Sequence, residues 1–167
     1  MDKLNTGEKL AGVSGIALLL IMFIFDWFTY GEGAFSAGGS AWQTMELIRF
    51  ILFLAAVAAI ALAVVAANQT TVDLPVALSA ITAGLGILSV VLIVFRIISP
   101  PDFGLGDVAE AFGGEADVGR DIGVFLGLIA AGGVAAGGWL AMQEEGSSFS
   151  GSSGGAAPPP PAPPPAQ

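Results

Sequence analysis

Hydrophobic and polar positions in this chain come in blocks rather than in alternation. Four mostly apolar runs are separated by short polar or glycine-rich stretches. Each run is about twenty residues long, enough for an α-helix rising ~1.5 Å per residue to cross a ~30 Å hydrocarbon core. The runs predict helices over residues 10–30, 47–67, 76–98 and 122–142. The expected fold is an all-α membrane protein, a four-transmembrane-helix antiparallel bundle spanning residues 10–142. A polar lead covers residues 1–9, and a Gly/Ser/Pro-rich tail covers 143–167.

The lead carries Lys3 and Lys9 beside Asp2 and Glu8. A basic lead before an apolar run resembles a signal peptide, but this run exceeds the usual 7–15-residue apolar region of one. The small-residue pattern Ala34-Phe35-Ser36 lies well beyond it, so the first helix is expected to be retained. The stretch 31–45 is a glycine- and serine-rich loop. Trp27, Tyr30 and Trp42 gather around it, and Trp139 lies near the end of the fourth run. Such aromatics are expected as anchors at membrane–water interfaces.

Small residues mark the faces along which helices would meet. Ala55, Ala59 and Ala63 are spaced four apart in the second run. The fourth run has one ladder of Gly123, Gly127 and Ala131 and another of Gly133 and Gly137. In lipid, small residues let helix backbones approach closely, so packing within the bundle is expected and contact between chains is the alternative. Thr82, Ser89 and Arg96 fall seven apart and share one face of the third run. That face is expected to look into the bundle, with the two hydroxyls bonded either to other helices or to their own backbone.

The acidic stretch 102–121 sets Asp102, Asp107, Glu110, Glu115, Asp117 and Asp121 against Arg120 alone, with a brief surface helix over 107–112. It lacks the spacing of an EF-hand, and carboxylate runs are usually solvated, so no metal is expected. The tail cannot bury enough apolar surface to fold and should remain disordered. Its proline run over 158–165 favours the extended polyproline form, which suits a spacer or, more weakly, a ligand for an SH3-like domain.

Charged residues make up 11% of the chain and apolar residues 54%, against roughly 25% charged in a soluble domain. The net charge is −9, which leaves no basic surface for nucleic acid. The sequence contains neither cysteine nor histidine. Thiolate nucleophiles, imidazole bases and the commonest metal ligands are therefore excluded, and neither an enzyme nor a cofactor is expected.

Three charges stand inside or at the ends of the apolar runs: Asp26, Arg49 and Arg96. With four crossings all three fall at the same end of the bundle, about one turn deep. An unpaired carboxylate there is costly and cannot snorkel, so Asp26 is expected to pair with Arg49, Arg96 or both. Glu46 and Arg120 are placed to close the network. A structural clasp is the leading reading of this cluster, and an ion or proton relay is the alternative. Lys and Arg counts on the two sides are nearly balanced. Weighting the first helix places both termini in the cytoplasm, in a multi-pass protein of the plasma membrane.

The exit Phe25-Asp26-Trp27-Phe28, the loop motif Ser40-Ala41-Trp42, Arg96 followed by Pro100-Pro101, and the glycine-rich fourth helix carry a resemblance. Over residues 10–142 the chain resembles uncharacterised small four-helix integral membrane proteins of high-GC Gram-positive bacteria. The resemblance implies the topology and no activity. The expected function is a non-enzymatic scaffold or accessory subunit of a cell-envelope complex, its partners being lipid and another membrane protein or a second copy. The alternative is a small oligomeric channel or transporter subunit using the Asp26, Arg49 and Arg96 cluster.

Overall fold

A computed structural model of the chain describes residues 4–30, 37–68, 77–100 and 118–146, and these are mostly helical. The surface helix expected over 107–112, the link 69–76 and the tail from 147 lie outside the described residues.

Helix α1 (Thr6–Ile24) begins four residues before the apolar run does. Asn5 and Glu8 form a reciprocal cap: the Glu8 amide donates to Asn5 Oδ1 at 2.9 Å, and the Asn5 amide donates to Glu8 Oε2 at 2.8 Å. Two orphan donors of the first turn are thereby satisfied, which extends the helix into the polar lead. The other end corrects the expected helix over 10–30. Phe25 turns to extended backbone, and Asp26–Tyr30 is a strand, β1. Its residues Trp, Phe, Thr and Tyr suit a pleated surface better than a helix.

Strand β1 is central in an antiparallel three-stranded sheet, flanked by β2 (Ala37–Ser40) and β3 (Val118–Arg120). Asp26 faces Ser40 and Tyr30 faces Ala37 on one side, while Phe28 faces Arg120 and Tyr30 faces Val118 on the other. The region expected as an irregular loop over 31–45 thus supplies a strand in its second half, followed by the short helix α2 (Ala41–Thr44). Thr44 Oγ1 donates to the Ser40 carbonyl at 2.9 Å and steadies that turn.

The remaining long helices are α3 (Ile48–Asn68), α4 (Leu78–Ile98) and α5 (Ile122–Glu144), all within two residues of the expected bounds. Helix α4 stops before Pro100, since a residue preceding proline is pushed out of the helical region. Asp121 caps α5 through the Ile122 amide at 2.7 Å, and its own amide donates to the Trp27 carbonyl at 3.0 Å. That bond ties the start of α5 to β1.

Helix α5 packs mainly on α1 and α4, and α3 packs on the same two helices from the other side. The α1–α5 contact runs from Gly7 against Ala141, through Gly137 against Ala11, to Gly133 against Ser14, and beyond the end of α1 Gly123 meets the Asp26 carbonyl of β1. Positions rise along one helix as they fall along the other. On a second face of α5, a β-carbon on Gly138 would lie 2.5 Å from the Ala83 amide nitrogen. One on Gly86 would lie 2.5 Å from that of Ala135. Ala59 and Ala63 meet α1 at Gly15 and Gly12, while Ala55 and Ala131 are fully buried.

Between these close contacts the interior is filled by Leu18, Met22, Leu52, Ile93, Val124 and Val134. Thr82 and Ser89 also face inward and are fully buried, and each hydroxyl donates to a carbonyl of its own helix, at Leu78 and Leu85, both at 2.8 Å. Large apolar side chains cover the outside instead, with Val13 69%, Leu47 75%, Ile98 73% and Ile129 72% exposed. Four helices are long and apolar enough to cross a membrane.

Two glycines of α5 separate packing from helix propensity. Gly137→Ala presses on the Ala11 backbone and should cost ~1–3 kcal/mol, as overpacking does. Gly132, where an added β-carbon has nothing within 4 Å, should accept alanine with no loss or a gain of up to ~1 kcal/mol. Unfolding titrations in mixed micelles measure both, and equal losses would contradict the contact.

Candidate functional site

Of the residues singled out by the sequence, Asp26, Trp27, Trp42, Arg49, Arg96 and Arg120, but not Trp139, gather at the end of the helices that carries the sheet. Trp27 occupies its centre. Along β1 the register advances two residues, Asp26 to Phe28, while β2 advances one, Ser40 to Gly39, so Trp27 is the extra residue of a bulge. Strict alternation would send Trp27 and Phe28 to opposite faces, but both are fully buried. The indole Nε1 donates to the Ile21 carbonyl at 3.2 Å, and the ring lies on Gly127 and Gly123. The expectation that Trp27 anchors at the membrane interface is thereby corrected: the absence of a β-carbon at these glycines opens the slot that the ring fills.

Trp42, on α2, is half-buried among Phe23, Phe50 and Phe53, with ring centroids 5.1, 6.0 and 6.1 Å away. The Arg49 guanidinium carbon stands 5.4 Å from the Trp42 ring centre and 4.9 Å from that of Phe50. Arg49 Nη1 also donates to the Trp42 carbonyl at 3.0 Å. The cation is held by two ring faces and a carbonyl, interactions that gain strength when water is excluded. Trp139 is 43% exposed on α5, in the half away from the sheet. Tyr30 contributes backbone to β1, and its side chain lies outside the described residues.

The expected ion-pair cluster is not formed among the described residues. No salt bridge joins Asp26 to Arg49 or Arg96. Because α1 ends at Ile24, Asp26 sits on the strand, exposed, with its carboxylate against Gly38 of β2. A carboxylate outside the helix has no buried charge to neutralise. Arg96 occupies the last turn of α4, where a cation complements the helix dipole. The Nε atoms of Arg49 and Arg96 are buried with no hydrogen-bond partner among the described residues. Arg120 Nε donates to the Ile97 carbonyl at 2.6 Å, fastening β3 to the C-terminus of α4 instead of closing a charge network.

A polar contact at the opposite end escaped the sequence. Ser79, fully buried at the start of α4, donates through Oγ to Glu145 Oε2 at 2.5 Å, just past the end of α5. The two residues lie 66 apart in the chain, and no local pattern signals such a pair. Glu8 and Glu145 border a cavity of about 280 Å³ there, walled by Leu62, Val65, Ala66 and Leu78. The Asn5–Glu8 cap, inside the stretch expected as a polar lead, did have a signal, since Asn followed three residues on by Glu is a helix-start pattern.

Among the described residues no group of three or more acidic side chains is arranged to hold a metal ion. At the sheet end the described side chains set rings and guanidinium groups against one another and against backbone carbonyls. No protein family, curated protein or solved structure matches the chain.

Two measurements distinguish this arrangement from a buried charge clasp. Asp26→Asn should change stability by no more than ~0.5 kcal/mol, as an exposed substitution does, whereas removing one partner of a buried ion pair costs ~3–5 kcal/mol. In a variant with Trp42 and Trp139 replaced by Phe, the emission of Trp27 should be blue-shifted and resist acrylamide. Ready quenching would place Trp27 at the surface after all.

Proposed function

We propose that the protein is a non-enzymatic integral membrane protein of the plasma membrane, a four-helix antiparallel bundle with both termini in the cytoplasm. It serves there as a scaffold or accessory subunit of a cell-envelope complex. One observation carries the membrane part of this reading: the outward faces of all four long helices are apolar, while the inward faces hold the small residues and the few hydroxyls. In water such a surface would far exceed the few hundred Å² of apolar patch that monomers tolerate. In lipid it is the expected exterior, because every helical backbone group is satisfied within its own segment.

The scaffold reading is supported by the use made of the polar residues. Arg49 and Arg120 bind carbonyls and rings that fix helix ends and strands. The glycine faces of α5 are occupied by α1 and α4 of the same chain. They are thus withdrawn from the contact through which a channel of several copies would assemble.

The sequence holds no cysteine, so topology is testable with single introduced thiols. Ser36→Cys should react with a membrane-impermeant maleimide on intact cells, and Ser153→Cys only after permeabilisation. The reverse pattern overturns the orientation, and release of the protein by alkaline carbonate overturns the membrane reading itself. Photocrosslinking from the sheet end in native membranes should yield one specific partner by mass spectrometry. Recovery of the monomer alone would overturn the scaffold role.

A further inference from the structure

The exterior of the helices is not uniform. Where α1 begins and α3 ends, an open groove of about 360 Å³ runs between them. Gly12 and Ala63 form its floor, a β-carbon on Gly12 falling 2.6 Å from that of Ala63. Val13 and Ile16 on one side and Ile60 and Val64 on the other are its walls. It extends along α1 from Lys9 to Ile16, a rise of about 10 Å at ~1.5 Å per residue, which is most of one leaflet of a ~30 Å core.

Among the described residues Lys9 is the only charged one lining the groove. Its neighbour Glu8 is committed to the Asn5 amide at 2.8 Å, and Lys9 forms no ion pair among the described residues. Lys9 is also one of only five basic residues in a chain of net charge −9. A cation beside an apolar slot has a defined complement. The slot takes a hydrocarbon tail, and the ammonium takes a negative charge at headgroup depth.

We infer that this groove is a binding site for one anionic phospholipid, with an acyl chain lying between α1 and α3 and its phosphate on Lys9. The inference rests on the membrane-spanning reading. Seating one tail in a fixed slot leaves the lipid moving with the protein, and the cation selects lipids with net negative headgroups, which enrich the cytoplasmic leaflet.

Native mass spectrometry of the full chain, released from micelles and titrated with phosphatidylglycerol or phosphatidylcholine of identical tails, tests the site. One phosphatidylglycerol should bind with about fivefold preference, the advantage a single lysine confers at an anionic surface. Lys9→Gln should abolish the preference and Lys9→Arg restore it. Val64→Trp, which fills the slot, should lower occupancy by both lipids while circular dichroism stays unchanged. Excess glycerol 3-phosphate should not displace the lipid. Equal binding of the two lipids, an unaltered preference in Lys9→Gln, displacement by the soluble headgroup, or a dimer that excludes lipid would each overturn the site. Carbonate extraction of the same preparation separates the failures: an embedded protein without lipid preference loses the site alone, whereas an extracted one loses the membrane reading.

Discussion

Backbone-to-backbone approach of α5 to α1 and α4 is the constraint on which the remaining structure depends. Gly7 and Gly137 bring α1 against α5, and Gly86 and Gly138 bring α4 against α5, each where a β-carbon would meet backbone atoms of the neighbouring helix. In lipid no hydrophobic force gathers helices, since the tails around them are as apolar as the side chains. Association must come from close van der Waals contact and hydrogen bonding. Two glycine faces on one helix therefore make α5 the member that holds α1 and α4 in place. Helix α3 then closes the remaining side through Ala59 and Ala63.

The ends of the helices solve a different problem, that of leaving polar groups where they can be satisfied. At the sheet end β1 and β3 are each tied to a helix: the Asp121 amide bonds the Trp27 carbonyl at 3.0 Å, and Arg120 reaches the Ile97 carbonyl at 2.6 Å. At the other end Asn5 and Glu8 cap α1, and Ser79 joins α4 to Glu145. Arg49 and Arg120 thus act on backbone carbonyls and rings. Arg49, Arg120, Asp121 and Glu145 each fix a junction between elements.

Packing by small residues also explains the uneven exterior. Where Gly12 and Ala63 draw α1 and α3 together, the lack of long side chains on the floor leaves the slot between Val13, Ile16, Ile60 and Val64. The contact that assembles the helices is thereby the one that leaves room for a lipid tail beside Lys9. Assembly and lipid recognition draw on the same residues at that point.

Length and hydropathy alone placed the four long helices, three of them to within two residues, because a run of about twenty apolar residues has few other fates. The small-residue spacing named Gly133, Gly137, Ala59 and Ala63 as packing positions, and each meets another helix. The inward face of Thr82 and Ser89 was equally legible, since both residues are polar in an apolar run and share a heptad spacing. The exit of α1 was not. Phe25 to Tyr30 continues the apolar run, and only pairing with β2 and β3, the latter some ninety residues away, makes it a strand. That turn of the backbone carried Asp26 out of the helix and left Arg49 to two rings and a carbonyl and Arg120 to a carbonyl. It also turned Trp27 inward onto Gly123 and Gly127. Hydropathy records how strongly a segment avoids water. It holds no information on which distant strand will satisfy that segment's backbone, and the tertiary structure decided that.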